Sequence, residues 1–242
     1  MDSNSLLLKK YNVPVPRYTS YPTVPLWAND LDQNKWNKLV KLAYEDFGES
    51  EGVTLYIHLP YCESLCTYCG CNKRITKNHM VETSYIETII KEWQAYLSVF
   101  EKSPKLAGIH LGGGTPTFFS PESLKLMISS ILETSVLMEN AELSFEGHPN
   151  NTTREHLQTL YDLGFRRVSY GIQDFDLEVQ KAIHRIQPFE RVKEATEIAR
   201  EIGYDSINFD LIYGLPKQTT ETIKNTFEKV STLKPDRIAY YS

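Results

Sequence analysis

Cysteine is scarce here: four in 242 residues, all between positions 62 and 71, so no disulfide ties distant parts of the chain together. Residues 1 to 20 are rich in Lys, Asn and Pro and hold no long apolar run, so no signal peptide is read and a reducing cytoplasmic setting is expected. No run of ~18 apolar residues is present either, so no transmembrane helix is expected. Excess charge is small. The 26 Lys and Arg against 31 Asp and Glu leave a net charge of −5, which offers no long-range attraction to nucleic acid or an anionic membrane. An anionic substrate would have to be held by local Arg or Lys. What the chain does have, 41% hydrophobic and 12% aromatic residues, is the composition of a folded protein with a sizeable core.

The stretch from His58 to Cys71 organises the rest. Cys62, Cys66 and Cys69 fall in a C-x-x-x-C-x-x-C pattern, and thiolates crowded into one loop suit iron or zinc. Structural zinc usually joins two knuckles separated by an intervening segment, unlike four thiols in one loop. Three thiols could instead hold three irons of a 4Fe-4S cluster and leave the fourth iron open to a substrate or cofactor.

Residues 1 to about 30, punctuated by Pro14, Pro16, Pro22 and Pro25, read as an extended arm, whose aromatic and hydroxyl-rich segment Pro16–Thr23 is expected to pack on the domain. Trp36, Leu39, Val40 and Ala43 recur at helical spacing within 34–47. From there strands alternate with helices. Strands are expected at Val53–His58, Leu106–Leu111, Glu142–Glu146, Arg167–Ile172, Ser206–Tyr213 and from Asp236. Helices are expected at Ser84–Val99, from Ser120 with Pro121 at its first position, from a capping box of Thr152 with Glu155 to Gly164, at Phe189–Ile202 and at Thr220–Leu233. Such alternation predicts parallel strands with right-handed crossovers, either a doubly wound sheet or a barrel. Polar features at the ends of successive strands favour the barrel, whose chemistry lies on that rim. They are the cysteine loop, Gly112–Pro116, Glu146, Gln173 with Asp174, and Asp210. The predicted organisation is therefore an α/β fold: an arm and helix over 1–50, then a partial (β/α)6 barrel over 51–242 that stops inside its sixth strand.

The glycine run permits close backbone approach to a ligand, since no Cβ intervenes. Glu146 and Asp210 suit ribose hydroxyls, although a carboxylate at a strand end is equally an ordinary loop charge. His58 reads either as a substrate contact or as a packed histidine.

The cysteine spacing, Tyr68 before the third cysteine and the glycine run resemble the radical S-adenosylmethionine enzymes. Within them the chain resembles the oxygen-independent coproporphyrinogen III oxidases. The residues that carry the likeness are Lys10-Tyr11-Asn12, Pro16–Thr23, Tyr56–Pro60, Cys69–Lys73, Gly112–Thr117, Gly171–Phe175 and Asp210–Pro216. The arm and Cys71 set it apart from the related haem chaperones, which stand as the alternative together with an inactive fragment. The resemblance implies that Cys62, Cys66 and Cys69 bind a 4Fe-4S cluster whose open iron is chelated by S-adenosylmethionine. It assigns Tyr56, Gly113, Gly114, Thr115 and Glu146 to that cofactor, and Tyr68, Gln173, Arg185 and Asp210 to a second S-adenosylmethionine. It also implies a reaction in haem biosynthesis. A 5′-deoxyadenosyl radical drives oxidative decarboxylation of two propionates of coproporphyrinogen III to the vinyls of protoporphyrinogen IX, in a monomeric cytoplasmic enzyme supplied by an electron donor. Two departures stand out. Gly147-His148-Pro149 differs from the better-known members before the proline, and those members continue with a further helical domain, so the chain reads as a fragment.

Overall fold

Along six stretches apolar and polar residues alternate, and each stretch becomes a strand with one apolar face and one polar face. The computed structural model describes residues 3–11, 13, 21–28 and 30–242. In chain order the elements are α1 (Ser3–Tyr11), α2 (Gln33–Ala43), β1 (Val53–Leu59), β2 (Tyr61–Cys62), β3 (Arg74–Ile75), α3 (Val81–Phe100), β4 (Lys105–Gly113), α4 (Pro121–Leu132), β5 (Val136–Gly147), α5 (Arg154–Asp162), β6 (Arg167–Gln173), α6 (Leu177–Ala182), α7 (Phe189–Ile202), β7 (Ser206–Ile212), α8 (Thr220–Leu233) and β8 (Arg237–Tyr241). Two compact units result, Met1–Leu39 and Val40–Ser242.

In the second unit one sheet runs β1-β4-β5-β6-β7-β8, every neighbouring pair parallel. Each new strand joins at the same edge. With right-handed crossovers that order places the helices on one face, whereas a doubly wound sheet reverses direction and divides them between two. Neighbouring helices accordingly pack in sequence, α3 on α4, α4 on α5, α5 on α7 and α7 on α8. The sheet is thus an open six-stranded portion of a (β/α) barrel. Its helix-covered face supplies Leu59, Leu111, Phe145, Tyr170 and Phe209, all fully buried against Ile86, Met127, Leu160 and Ala199 of the helices. Its other face carries His58, His110, Glu146, Ser169, Asn208 and Asp210.

Several helix signals hold in detail. Ser120 caps α4 by accepting the Ser123 N–H at 3.2 Å, and Leu124, Met127, Ile128 and Ile131 form its buried face. Gly203, at φ 110°, closes α7. Other expectations are corrected. The cap of α5 is Thr153 rather than Thr152, boxed with His156 rather than Glu155. The Thr152 hydroxyl instead donates to the His148 carbonyl at 2.9 Å, leaving Thr153 to open the helix. Strand β5 begins six residues before Glu142, because Val136 and Leu137 pair with Lys105 and Leu106 ahead of a register shift. Helix α6, held by Asp176 accepting the N–H groups of Glu178 and Val179, was not expected; six residues are too few to show a helical period. Part of the expected extended arm is helical over Ser3–Tyr11, where Lys9 and Lys10 complement the C-terminal dipole. Residues 14–20 of that arm lie outside the described residues, and Tyr21 is 97% exposed. The expected helix within 34–47 forms as α2 and continues as a π-helical turn, Tyr44–Gly48, but no α2 residue is buried. Burial falls on Tyr44, whose ring meets Phe100 at 4.5 Å. No helix among the described residues is long and apolar enough to cross a membrane.

Candidate active site

At the C-terminal ends of the strands lies a cavity of about 490 Å³. Of the residues assigned by resemblance to the cluster or to S-adenosylmethionine, all but Tyr56 line it, whereas His58, Gly112 and Asp174 do not. Tyr56 sits on the same sheet face, stacked 5.9 Å from His110, and shares a 3.0 Å hydrogen bond with His58 Nδ1. Position 58 is decided by its partners. With Tyr56 on one nitrogen and the Asn72 carbonyl 2.7 Å from the other, His58 is a packed strand-end histidine.

The cysteine loop leaves β1 and is tied at both ends. The two-residue β2–β3 ladder pairs Tyr61 with Arg74 and Cys62 with Ile75, and the Thr76 N–H donates to the Cys62 carbonyl at 2.9 Å. Within the loop, the Cys69 N–H donates to the Cys66 carbonyl at 3.1 Å, while Lys73 Nζ holds the carbonyls of Cys69 and Cys71 at 2.8 and 3.2 Å. Across the cavity, the Thr67 N–H reaches the Ile183 carbonyl at 3.1 Å.

The glycine run fits under this loop because it has no side chains. A Cβ on Gly114 would stand 2.6 Å from the Pro60 carbonyl and 3.0 Å from Cys62 Sγ. Gly113 combines a φ of 115° with a Cβ position 2.6 Å from the His58 ring, so both its conformation and its space exclude other residues. The Gly114 and Thr115 N–H groups donate to the carbonyls of Leu59 and Tyr61 at 2.9 and 3.0 Å, and the Thr115 hydroxyl lies 3.3 Å from Cys62 Sγ. Glu146 Oε2 accepts the Gly113 N–H at 3.2 Å, so this carboxylate already braces the turn.

On the opposite side a register shift between β6 and β7 falls at Gly171/Gln173, and Gln173 adopts a left-handed φ of 67°. Strained backbone at a strand end beside a cavity is a common feature of functional sites. Arg185 Nη2 donates to the Gly171 carbonyl at 2.7 Å and Nη1 lies 3.8 Å from Cys66 Sγ. Its Nε, like Gln173 Oε1, is buried without a partner among the described residues. Asp210 accepts from the Ser169 hydroxyl at 2.9 Å and from Asn208 Nδ2 at 2.8 Å, and burial raises its pKa against the pull of those donors. Burial also keeps the Tyr68 phenol protonated far above its ordinary range.

Asp174 leaves the set of rim features. Only 1% exposed, it accepts from Thr226 Oγ1 at 2.9 Å and Gln218 Nε2 at 2.6 Å, pinning β6 to α8 and the loop before it. Sequence reasoning passed over Ser169 and Asn208, which orient Asp210. Their signal was parity: both fall on the polar face that also carries Glu146 and Asp210.

Cys62, Cys66 and Cys69 all line the cavity, and three thiols of one loop suit the separate irons of a cluster. Among the described residues no three His, Cys, Asp or Glu side chains are gathered closely enough to grip one metal. A tetrahedral zinc needs all its sulfurs within about 2.3 Å of one centre, whereas cluster thiolates bind separate irons and stand further apart. Of the four buried side-chain polar atoms without a partner among the described residues, two, Gln173 Oε1 and Arg185 Nε, belong to side chains that line the cavity.

Parallel strands, a thiol loop after the first of them and a glycine turn after the next define an iron–sulfur enzyme fold, and residues 56–230 match the radical SAM superfamily, to which the chain belongs. Membership implies a 4Fe-4S cluster and S-adenosylmethionine. The chain is 44% identical over 234 residues to the oxygen-independent coproporphyrinogen III oxidase of Helicobacter pylori strain J99, covering 96% of this chain and 51% of that protein. It is 35% identical over 247 residues to the oxygen-independent coproporphyrinogen III oxidase of Escherichia coli K12, covering 100% and 52%. The solved structure of coproporphyrinogen III oxidase from Escherichia coli, described as a radical SAM enzyme, superposes with a TM-score of 0.86 at 34% identity, over 98% of this chain and 52% of that one. The chain spans about half the length of the curated relatives it matches.

Proposed function

We propose that this chain carries the cluster and cofactor machinery of an oxygen-independent coproporphyrinogen III oxidase, with residues 1–50 as arm and helix and 51–242 as the barrel. One observation carries the reading: the three loop thiols, the glycine turn and Glu146 converge on one cavity at the strand ends, in a chain similar to such oxidases along nearly its whole length. When bound, the cluster and S-adenosylmethionine supply a one-electron cleavage that yields a 5′-deoxyadenosyl radical able to remove hydrogen from carbon.

The protein's own tasks are holding and orienting. Cys62, Cys66 and Cys69 hold the cluster, in a loop kept in shape by Lys73. Gly113 and Gly114 let backbone approach the first S-adenosylmethionine, with Tyr56, Thr115 and Glu146 beside it. Tyr68, Gln173, Arg185 and Asp210 face a second one. There Arg185 offers a cation to a carboxylate, and Asp210, oriented by Ser169 and Asn208, offers acceptors to hydroxyl or ammonium groups. The substrate is coproporphyrinogen III, whose two propionates become vinyls with loss of carbon dioxide. An electron donor serves the cluster, and the setting is the cytoplasm, as a monomer.

Anaerobic reconstitution tests this. About four irons and four sulfides per chain, and 5′-deoxyadenosine formed from S-adenosylmethionine on reduction, are expected. Zinc in place of iron, with no 5′-deoxyadenosine, overturns it.

A further inference from the structure

The roles above leave His148 without a task, although it lines the cavity. Its backbone is fixed: the N–H donates to Thr117 Oγ1 at 3.2 Å, and the carbonyl accepts the N–H groups of Asn151 and Thr152 at 2.9 Å each. Its ring is oriented as well. Nδ1 accepts the Asn150 N–H at 3.2 Å, which places the proton of the neutral imidazole on Nε2. Nε2 has no partner among the described residues. The loop that carries the ring is tied to the one that carries Arg185, because Asn150 Nδ2 donates to the Ile186 carbonyl at 2.9 Å. Arg185 brings a full positive charge, no carboxylate partner among the described residues, and a buried Nε that lacks an acceptor.

Apart from Cys66 Sγ, 3.8 Å from Nη1, the guanidinium meets no anionic group among the described residues, and a cation at a cavity wall with so little to balance it is a site for an entering anion. We infer that His148 and Arg185 form a carboxylate-binding notch, in which His148 supplies a neutral N–H beside the guanidinium. One cation matches one carboxylate, whereas a phosphate dianion would leave a charge unpaired in a partly desolvated wall. Burial and the neighbouring Arg185 push the His148 pKa down to about 3, so the ring stays a neutral donor throughout the working pH range. The carboxylate has two possible sources under the function proposed above, on which this inference rests: the methionyl end of S-adenosylmethionine, or a propionate of the tetrapyrrole.

The test is equilibrium binding to the anaerobically reconstituted chain of S-adenosylmethionine, its decarboxylated analogue and coproporphyrin III, the stable oxidised form of the substrate. His148→Phe is expected to weaken S-adenosylmethionine about tenfold, the loss of one buried hydrogen bond to a charged group, and to leave the decarboxylated analogue unchanged. His148→Gln, whose amide reaches the Nε2 position, should restore the affinity to within about threefold. A loss confined to coproporphyrin III would assign the notch to a propionate instead. Equal loss for S-adenosylmethionine and its decarboxylated analogue, or no loss for either carboxylate ligand, overturns the notch. His148→Leu replaces the Phe variant where the latter fails to take up iron. A wild-type chain that binds S-adenosylmethionine but forms no 5′-deoxyadenosine fails the proposed function alone, and the affinity ratios still decide the notch. One that binds neither carboxylate ligand overturns both.

Discussion

On the β1–β5 side of the cavity the wall is backbone. Gly112 lies against Tyr56 and Glu146, Gly113 against the His58 ring and Gly114 against Pro60 and Cys62, with main-chain hydrogen bonds from Gly114 to Leu59 and from Thr115 to Tyr61. On the β6–β7 side the wall is the side chains of Gln173, Arg185 and Asp210, and a buried polar network lies behind them. Asp174 gathers Asp176, Gln218 and Thr226, and Gln180 Nε2 donates to the carbonyls of Asp174 and Gln187 at 2.9 Å each. Ser169 and Asn208 meanwhile fix Asp210. A large cofactor on the first side needs room and main-chain contact, which glycine gives by omission. Charged groups aimed at a ligand on the second side need fixed directions, which a satisfied polar network gives at the cost of burying many donors.

The contrast is broken most completely at the thiols. Cys62→Ala, Cys66→Ala and Cys69→Ala should each abolish the brown cluster absorbance after reconstitution, while Cys71→Ala keeps it; loss in the Cys71 variant alone contradicts the ligand assignment. Next comes the network side. Asp174→Ala takes the acceptor from the buried Thr226 hydroxyl and from one of the two N–H groups of Gln218 Nε2, and should cost about 3 kcal/mol in urea denaturation, against no detectable change if the network is dispensable. On the glycine side, Gly114→Ala forces a methyl to within 2.6 Å of the Pro60 carbonyl. It should cost about 2 kcal/mol and lower iron uptake, so the two walls should separate: iron falls with Gly114→Ala at a stability loss that leaves iron intact in Asp174→Ala.

The last comparison is a pH slope. His148 has an ordinary pKa of 6.5 and a folded one of about 3. Above 6.5 both states are neutral and its contribution is complete. As pH falls from 6.5 towards 3, the unfolded chain gains a proton that the fold refuses, and stability drops by up to roughly 1.4 kcal/mol per pH unit. Burial lowers His156 as well, with the same sign. Replacing His148 by Gln should therefore flatten, without abolishing, the fall in urea midpoint between pH 7 and 4.5; parallel curves for variant and parent would show that His148 does not carry it.

Much of this was legible in the chain. The parallel β/α order, the cap at Ser120, the buried face of α4 and the span of α7 follow from local periodicity and capping, which neighbouring residues settle among themselves. Glu146, Ser169, Asn208 and Asp210 share a sheet face for a similar reason: their positions along their strands have the parity that points away from the helices. The sequence by itself also determined that all the thiols sit in one loop at a strand end.

Only the tertiary structure decided what those residues meet. Asp174 and Gln173 are adjacent in sequence, yet one carboxylate is buried in a pin to α8 while its neighbour lines the cavity, because a register shift in the β6–β7 pairing re-aims the strand end. The cap expected at Thr152 fell to Thr153, because the His148 carbonyl captured the hydroxyl of Thr152. His148 acquired its neutral ring from burial that no local pattern records, and secondly from Arg185, 37 positions away in sequence. Periodicity is a property of neighbours along the chain. Burial, register and the field of a distant charge exist only once separate strands have been brought side by side.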